Sequence, residues 1–114
     1  MAIVIRRGAT PRITTHIPDD IDMSEITNVW IYISQSEGCQ NVIKVDKGIT
    51  DVQIDPEEKI ISVKLTQEDT TALKVGTGII QIRLLLSNGD CLPSSEGTVR
   101  VLPLYKEGVM TDEN

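Results

Sequence analysis

The chain is 114 residues long, which leaves room for one domain around a single modest core. Its net charge of −6 argues against a nucleic-acid partner, because phosphate binding requires a basic surface. No apolar run is long enough to span a bilayer, so we expect no membrane partner. Phe is absent and Ile and Val dominate the apolar residues, a composition that favours strands over helices.

Residues 1–11 are predicted to form an amino-terminal arm, because a short apolar stretch is followed by two arginines, a glycine and a proline. The arm is either solvated or in contact with an acidic partner. Beyond it, the alternation of apolar and polar residues predicts strands over residues 12–17 and 27–34, with shorter strands over 42–46 and 51–55.

The segment of residues 59–90 carries the most specific local signals. Alternating apolar residues predict a strand over 61–65, after which Thr66 can cap a turn of helix with help from Asp69. A second apolar strand is predicted over residues 78–87. It ends at Asn88 and Gly89, a pair that strongly favours a hairpin turn.

Two short strands, over residues 92–95 and 98–104, and a polar tail over 106–114 complete the chain. Residues 12–105 are therefore predicted to form a single domain. The fold class predicted is all-β, an immunoglobulin-like antiparallel β-sandwich of about seven or eight strands with one short helical turn.

The sequence shows no catalytic constellation. The single histidine, His16, lies in a predicted strand with no nucleophile motif around it, so we predict that the protein is not an enzyme. One histidine and no Cys-x-x-Cys pair exclude an ordinary zinc site, and no cofactor is expected. The two cysteines, Cys39 and Cys91, are predicted to be free thiols near turns.

A run of carboxylates, Asp19, Asp20, Asp22 and Glu25, has the alternate spacing with which a calcium loop begins. Glu25 stands where such a loop needs a glycine, so the simpler interpretation is a polar loop that caps a helical turn. We therefore predict no metal site.

Two strands carry apolar side chains on both faces. In the strand predicted over residues 27–34, Trp30 and Tyr32 lie on the face opposite an apolar one. In the strand predicted over residues 78–87, Ile79, Arg83 and Leu85 lie on the face opposite an apolar one. A sandwich strand normally turns one face to the core and the other to water. These five residues are therefore either covered within the chain or exposed to solvent. If they are exposed, we expect them to form an interface with a partner subunit, where Trp and Tyr are enriched.

Two resemblances follow from short motifs. Residues 65–70 (Leu-Thr-Gln-Glu-Asp-Thr) resemble the turn before the sixth strand of immunoglobulin variable domains, although no Tyr-x-Cys follows. Residues 7–11, 31–35, 65–70, 81–83 and 106–109 together resemble small prophage-encoded proteins of Firmicutes. Those proteins are similar to the immunoglobulin-like amino-terminal module of phage baseplate upper proteins. The likeness implies a baseplate, tail or virion component and transfers no catalytic residue.

The leading hypothesis is therefore a non-enzymatic phage or prophage structural protein that acts by protein–protein assembly. Its expected partners are other phage structural proteins or further copies of itself. The expected location is the host cytoplasm during assembly and then the virion, because the first five residues are too short for a signal peptide. The alternative is a carbohydrate- or surface-binding β-sandwich module that uses Trp30 and Tyr32 as a platform.

Overall fold

Eight strands build the fold in a computed structural model that describes residues 2–106 and 110, without the side chains of residues 2 and 93–95. The strands are β1 (Ala2–Arg6), β2 (Arg12–His16), β3 (Ile26–Glu37), β4 (Gln40–Lys47), β5 (Val52–Asp55), β6 (Ile60–Lys64), β7 (Gly76–Leu86) and β8 (Cys91–Leu102). One short helix, α1 (Gln67–Thr71), and two 3-10 turns, Met23–Glu25 and Ile49–Asp51, join them.

The strands form a five-stranded sheet in the order β1-β8-β7-β3-β4 and a three-stranded sheet in the order β2-β6-β5. Every pairing is antiparallel except that of β1 with β8, which is parallel. The prediction of an all-β sandwich of about seven or eight strands with one short helical turn is confirmed. The parallel pairing of β1 with β8 departs from the predicted antiparallel arrangement.

The core lies between the two sheets, because alternate residues of each strand point inward and are apolar. In β3 the odd-numbered residues 29, 31 and 33 are buried, and in β7 the even-numbered residues 80, 82 and 84 are buried. The side chains that fill the core from both sheets include Ile13, Val29, Ile31, Ile33, Ile61, Val63, Ile80, Ile82, Leu84, Val99 and Val101.

Helix α1 begins where the sequence indicates. The Thr66 hydroxyl accepts a hydrogen bond from the Asp69 backbone N–H at 3.1 Å, and the Asp69 carboxylate accepts one from the Thr66 N–H at 2.8 Å. Burial raises the pKa of Asp69, but Lys47, whose Nζ lies 2.8 Å away, and the Thr66 bonds leave it lowered overall.

No helix in the described part of the chain has the length and apolar character needed to cross a membrane.

Glycines shape both ends of β7. The backbone of Gly78 packs so closely on β3 that an added Cβ would lie 2.9 Å from the Ser34 carbonyl oxygen. At the other end, the predicted hairpin is present, and Gly89 adopts the left-handed conformation with φ of 92°. Its N–H bonds to the Leu86 carbonyl, and the Leu86 N–H bonds to the Asp90 carbonyl, so the loop has three residues and not two.

Polar contacts join the segment after α1 to β3, and β3 to β4. The buried amide of Gln35 donates to the Lys74 carbonyl and accepts from the Lys74 N–H, both at 2.8 Å. Next to it, Glu37 forms ion pairs with Lys44 and Lys74. Hydrogen bonds from Lys44 and then Lys74 lower the pKa of Glu37 to about 2. The Glu37 side chain remains accessible to solvent, so water screens both ion pairs.

The prediction of an arm over residues 1–11 is wrong for Ala2–Arg6, which form β1 along β8 and bury Ile5 in the core. Residues after β1 are also fixed. The buried hydroxyl of Thr70 accepts from the Gly8 N–H and donates to the Ala9 carbonyl, each at 2.9 Å. The arm prediction failed because the partner strand lies almost a full chain length away, where local patterns give no signal.

The carboxyl-terminal elements also differ from the prediction. The two short strands expected over residues 92–95 and 98–104 are one strand, β8, because Gly97 continues the ladder opposite Ile80 and does not interrupt it. Most of the predicted tail over residues 106–114 lies outside the described residues, which include only Lys106 and Met110 of that range.

Candidate functional site

The five residues singled out from the sequence lie on one surface, the side of the five-stranded sheet that faces away from the three-stranded sheet. We call this surface the outer face. Residues directly opposite in paired strands share a face, and Trp30 of β3 lies opposite Arg83 of β7. Tyr32 lies opposite Gln81 in the same register. Ile79 and Leu85 alternate with buried residues of β7, so they also point outward.

The apolar side chains of the outer face are exposed. Trp30 is 49% exposed, Ile79 40% and Leu85 38%, whereas Tyr32 and Arg83 are half-buried. Exposed apolar residues extend to both edges of the sheet, with Val4 of β1 opposite Arg100 and Ile43 of β4 opposite Ser34. Of the two alternatives left open by the sequence, exposure is the one found for Trp30 in the described part of the chain.

The outward side of the three-stranded sheet is different. Its only apolar residue in the described register is Ile60, which is half-buried between His16 and Asp55. The remaining outward residues are polar or charged: Arg12, Thr14, Gln53, Ser62 and Lys64. One sheet of the sandwich therefore has an ordinary solvated surface, and the other carries apolar side chains on its exposed side.

Trp30, Arg83 and Cys91 form a cluster on the outer face. The Arg83 guanidinium lies over the Trp30 ring, 5.2 Å from its centroid, and donates to the Cys91 Sγ at 3.2 Å. Arginine is a cation at any physiological pH, and this sulfur contact raises the pKa of Arg83 further. A depression of about 150 Å³ is lined by this cluster together with Asn28, Leu84 and Leu85.

Next to this cluster, the outer face has a polar row. The Tyr32 hydroxyl donates to the Gln81 Oε1 at 2.5 Å, which links the two half-buried side chains across β3 and β7. At the two ends of the row are exposed acids, Glu96 of β8 opposite Gln81 and Asp46 of β4 opposite Tyr32. The outer face thus combines apolar anchors, the stacked cation Arg83, a second cation at Arg100 opposite Val4, and two carboxylates.

Sequence reasoning missed several outer-face residues. Val4 was assigned to an arm, and Ile43 was hidden because a β-bulge between Ile33 and Ser34 changes the register of β4. Glu96 and Cys91 were missed because β8 was divided into two strands. The two consecutive apolar residues Val42 and Ile43 were the local signal available in the sequence, because neighbours in a strand point to opposite faces and one of them must therefore lie outward.

The other candidates have structural roles. Asp22 caps the 3-10 turn Met23–Glu25. Its carboxylate accepts from the Ser24 hydroxyl at 2.8 Å and from the Ser24 N–H at 3.0 Å, and these bonds lower its pKa. Within the described residues no group of three or more His, Cys, Asp or Glu side chains is arranged to hold a metal ion. Asp22 is thus the cap of a helical turn, which is the role that the polar-loop interpretation gives to this segment.

His16 is exposed at the end of β2, as expected for a surface residue. Cys39, in the turn between β3 and β4, and Cys91, at the start of β8, are both exposed free thiols, which confirms that prediction.

Comparison with known proteins gives a fold. No protein-family model and no curated protein matches the chain. Among solved structures, the chain is similar to the crystal structure of CopC from Methylosinus trichosporium OB3b. The TM-score is 0.53 at 14% sequence identity, and the match covers 93% of this chain and 90% of that chain. The likeness at this identity shows the fold alone, and it agrees with the predicted immunoglobulin-like β-sandwich, which is confirmed.

Proposed function

We propose that the protein is a non-enzymatic structural component of a phage or prophage particle, which acts by binding neighbouring protein subunits. The observation that supports this proposal most strongly is the outer face of the five-stranded sheet. It presents Trp30, Ile79 and Leu85 to solvent, whereas the corresponding side of the three-stranded sheet is polar.

The composition of the outer face suits a protein partner. Trp, Tyr and Arg are the residue types most enriched at interface hot spots, and here Trp30, Tyr32 and Arg83 lie side by side on β3 and β7. Stacking on Trp30 and the Tyr32–Gln81 bond hold these side chains in place before any partner arrives. Pre-ordering of this kind reduces the entropy lost on binding.

The phage part of the proposal comes from the sequence motifs that resemble small prophage proteins of Firmicutes. The immunoglobulin-like sandwich is the fold which that resemblance implies, and it is the fold found. The carbohydrate-binding alternative has less support. The guanidinium of Arg83 lies over the Trp30 ring, so that ring face is not free to stack against a sugar.

The test is the presence of the protein in particles. Particles induced from a lysogen that carries this gene would be purified on a density gradient and analysed by quantitative mass spectrometry. We expect the protein at a fixed ratio to the other tail proteins, and particles lacking it after deletion of the gene should be incomplete. Normal, infectious particles without the protein would overturn the proposal.

A further inference from the structure

We propose that the outer face binds a second copy of this chain in a two-fold dimer, in which Arg83 of each copy pairs with Glu96 of the other. This inference rests on the proposed function, because it names the first neighbour that the outer face binds. It is argued from the size of the face, from its charges and from the positions of the two residues.

The area of the outer face fits a stable dimer. The strands of the five-stranded sheet have 5, 12, 11, 12 and 8 residues in spatial order. With a rise of ~3.4 Å per residue and a strand spacing of ~4.8 Å, they cover roughly 800 Å². Specific interfaces bury about 800 Å² on each partner, so one sheet face against another is the standard size.

The charge of the face favours a partner that carries a carboxylate. Among the described residues, the Cys91 sulfur is the one acceptor for the Arg83 guanidinium, so most of its donor groups are available on the outer face. A guanidinium beside Trp30 and Leu85 becomes desolvated when a partner covers it, and a bidentate carboxylate is the acceptor that satisfies it best. Glu96 is exposed on the same face and supplies this group in every copy.

The positions of the two residues allow a reciprocal pair. Glu96 lies on β8 opposite Gln81, so it is one strand across and two residues along from Arg83. Their backbone positions are therefore about 8 Å apart. A two-fold axis midway between them places each Arg83 over the other copy's Glu96, as an isologous interface requires.

Glu96 is a better acceptor than the other acid of the face. Glu96 lies one strand across from Arg83, whereas Asp46 lies two strands across. The Arg83–Glu96 pair is therefore close to the two-fold axis at the centre of the interface, where a partner excludes water. Asp46 lies on β4, an edge strand, and stays close to solvent. It therefore provides a matched control with the same charge and the same exposure class.

Sedimentation velocity over a wide concentration range tests the proposal. The full chain should dimerise, and Arg83→Glu or Glu96→Arg should each raise the dimer dissociation constant by roughly hundredfold, because each substitution affects two pairs per dimer. An equimolar mixture of the two variants should dimerise again. In the mixed dimer, one pair joins the new carboxylate at position 83 to the new guanidinium at position 96, and the other pair is the native one. Asp46→Arg should change the constant by less than about threefold.

Three outcomes would overturn the inference: a wild-type chain that stays monomeric at every concentration, a mixture that fails to recover, or an Asp46→Arg variant as weak as Glu96→Arg. Circular dichroism melts of dilute samples would show whether each variant is folded. If Arg83→Glu is unfolded, Arg83→Met keeps a long apolar side chain that can pack on Trp30. It removes the charge and should still weaken the dimer. If the protein is present in particles but is a monomer, the dimer proposal fails and the proposed function stands. If the protein dimerises but is absent from particles, the proposed function fails and the dimer proposal stands.

Discussion

The hydroxyl of Thr70 gives a direct test of how β1 is attached to the sandwich. Thr70 is fully buried, and its Oγ1 bonds the Gly8 N–H and the Ala9 carbonyl in the connection that follows β1. Thr70→Val keeps the shape of the side chain and removes both bonds. Any loss of stability then comes from backbone groups that have lost a partner, since no cavity is created.

The expected loss is about 2 kcal/mol. A buried donor left without a partner costs about 1–3 kcal/mol, and Gly8 is half-buried, whereas Ala9 is exposed and its carbonyl can bond to water instead. In a domain of this size, ~2 kcal/mol corresponds to a fall in melting temperature of roughly 8 °C. Thermal melts by circular dichroism and urea titrations would measure both quantities.

The neighbouring residue supplies the control. Among the described residues, the one acceptor for the Thr71 hydroxyl is the Glu68 carbonyl in the same turn, so Thr71→Val should cost less than about 0.5 kcal/mol. Amide exchange adds a local signal, because the Ile5 N–H in β1 should exchange faster in Thr70→Val and not in Thr71→Val. Equal melting temperatures for the two variants would refute the role given to Thr70.

Two further predictions concern β7 and the ion pairs of Glu37. Gly78→Ala should lower the free energy of unfolding by roughly 1–3 kcal/mol, because the new Cβ meets a backbone carbonyl of β3. Gly48→Ala is the control, since its Cβ enters open space and should leave stability unchanged. Urea titrations of both variants measure the difference. Glu37 has its pKa lowered from 4.5 to about 2, so its pairing stabilises the fold above pH ~4.5 and is lost as the pH falls towards 2. Carboxyl NMR titration should show that pKa, and Lys44→Met with Lys74→Met should return it to near 4.5; an unchanged value would contradict the pairing.

Much of the fold follows from local patterns. Alternation predicts the strands, Thr66 and Asp69 predict the start of α1, and Asn88 with Gly89 predicts the hairpin after β7. Each of these signals depends on residues within about four positions of one another. The two-sided strands also pointed to the outer face, because a surplus of apolar residues is visible without knowledge of the partner strand.

The remaining features depend on long-range pairing. β1 is held by β8, so a five-residue apolar stretch alone could not distinguish a strand from an arm. Ile43 faces outward because of a bulge in β4, and Gly97 continues β8 because Ile80 lies opposite it. The stacking of Arg83 on Trp30 requires the register of β3 with β7, which local sequence does not determine.

The accessibility of Trp30 tests the central claim, that the outer face is the surface covered by a neighbouring protein. Trp30 is the only tryptophan of the chain, and it is 49% exposed. A fluorescent analogue such as 7-azatryptophan at this position can be excited apart from the tryptophans of other proteins. If the claim is right, acrylamide should quench the dilute protein readily and the protein in purified particles only weakly. Equal quenching in both states would contradict it.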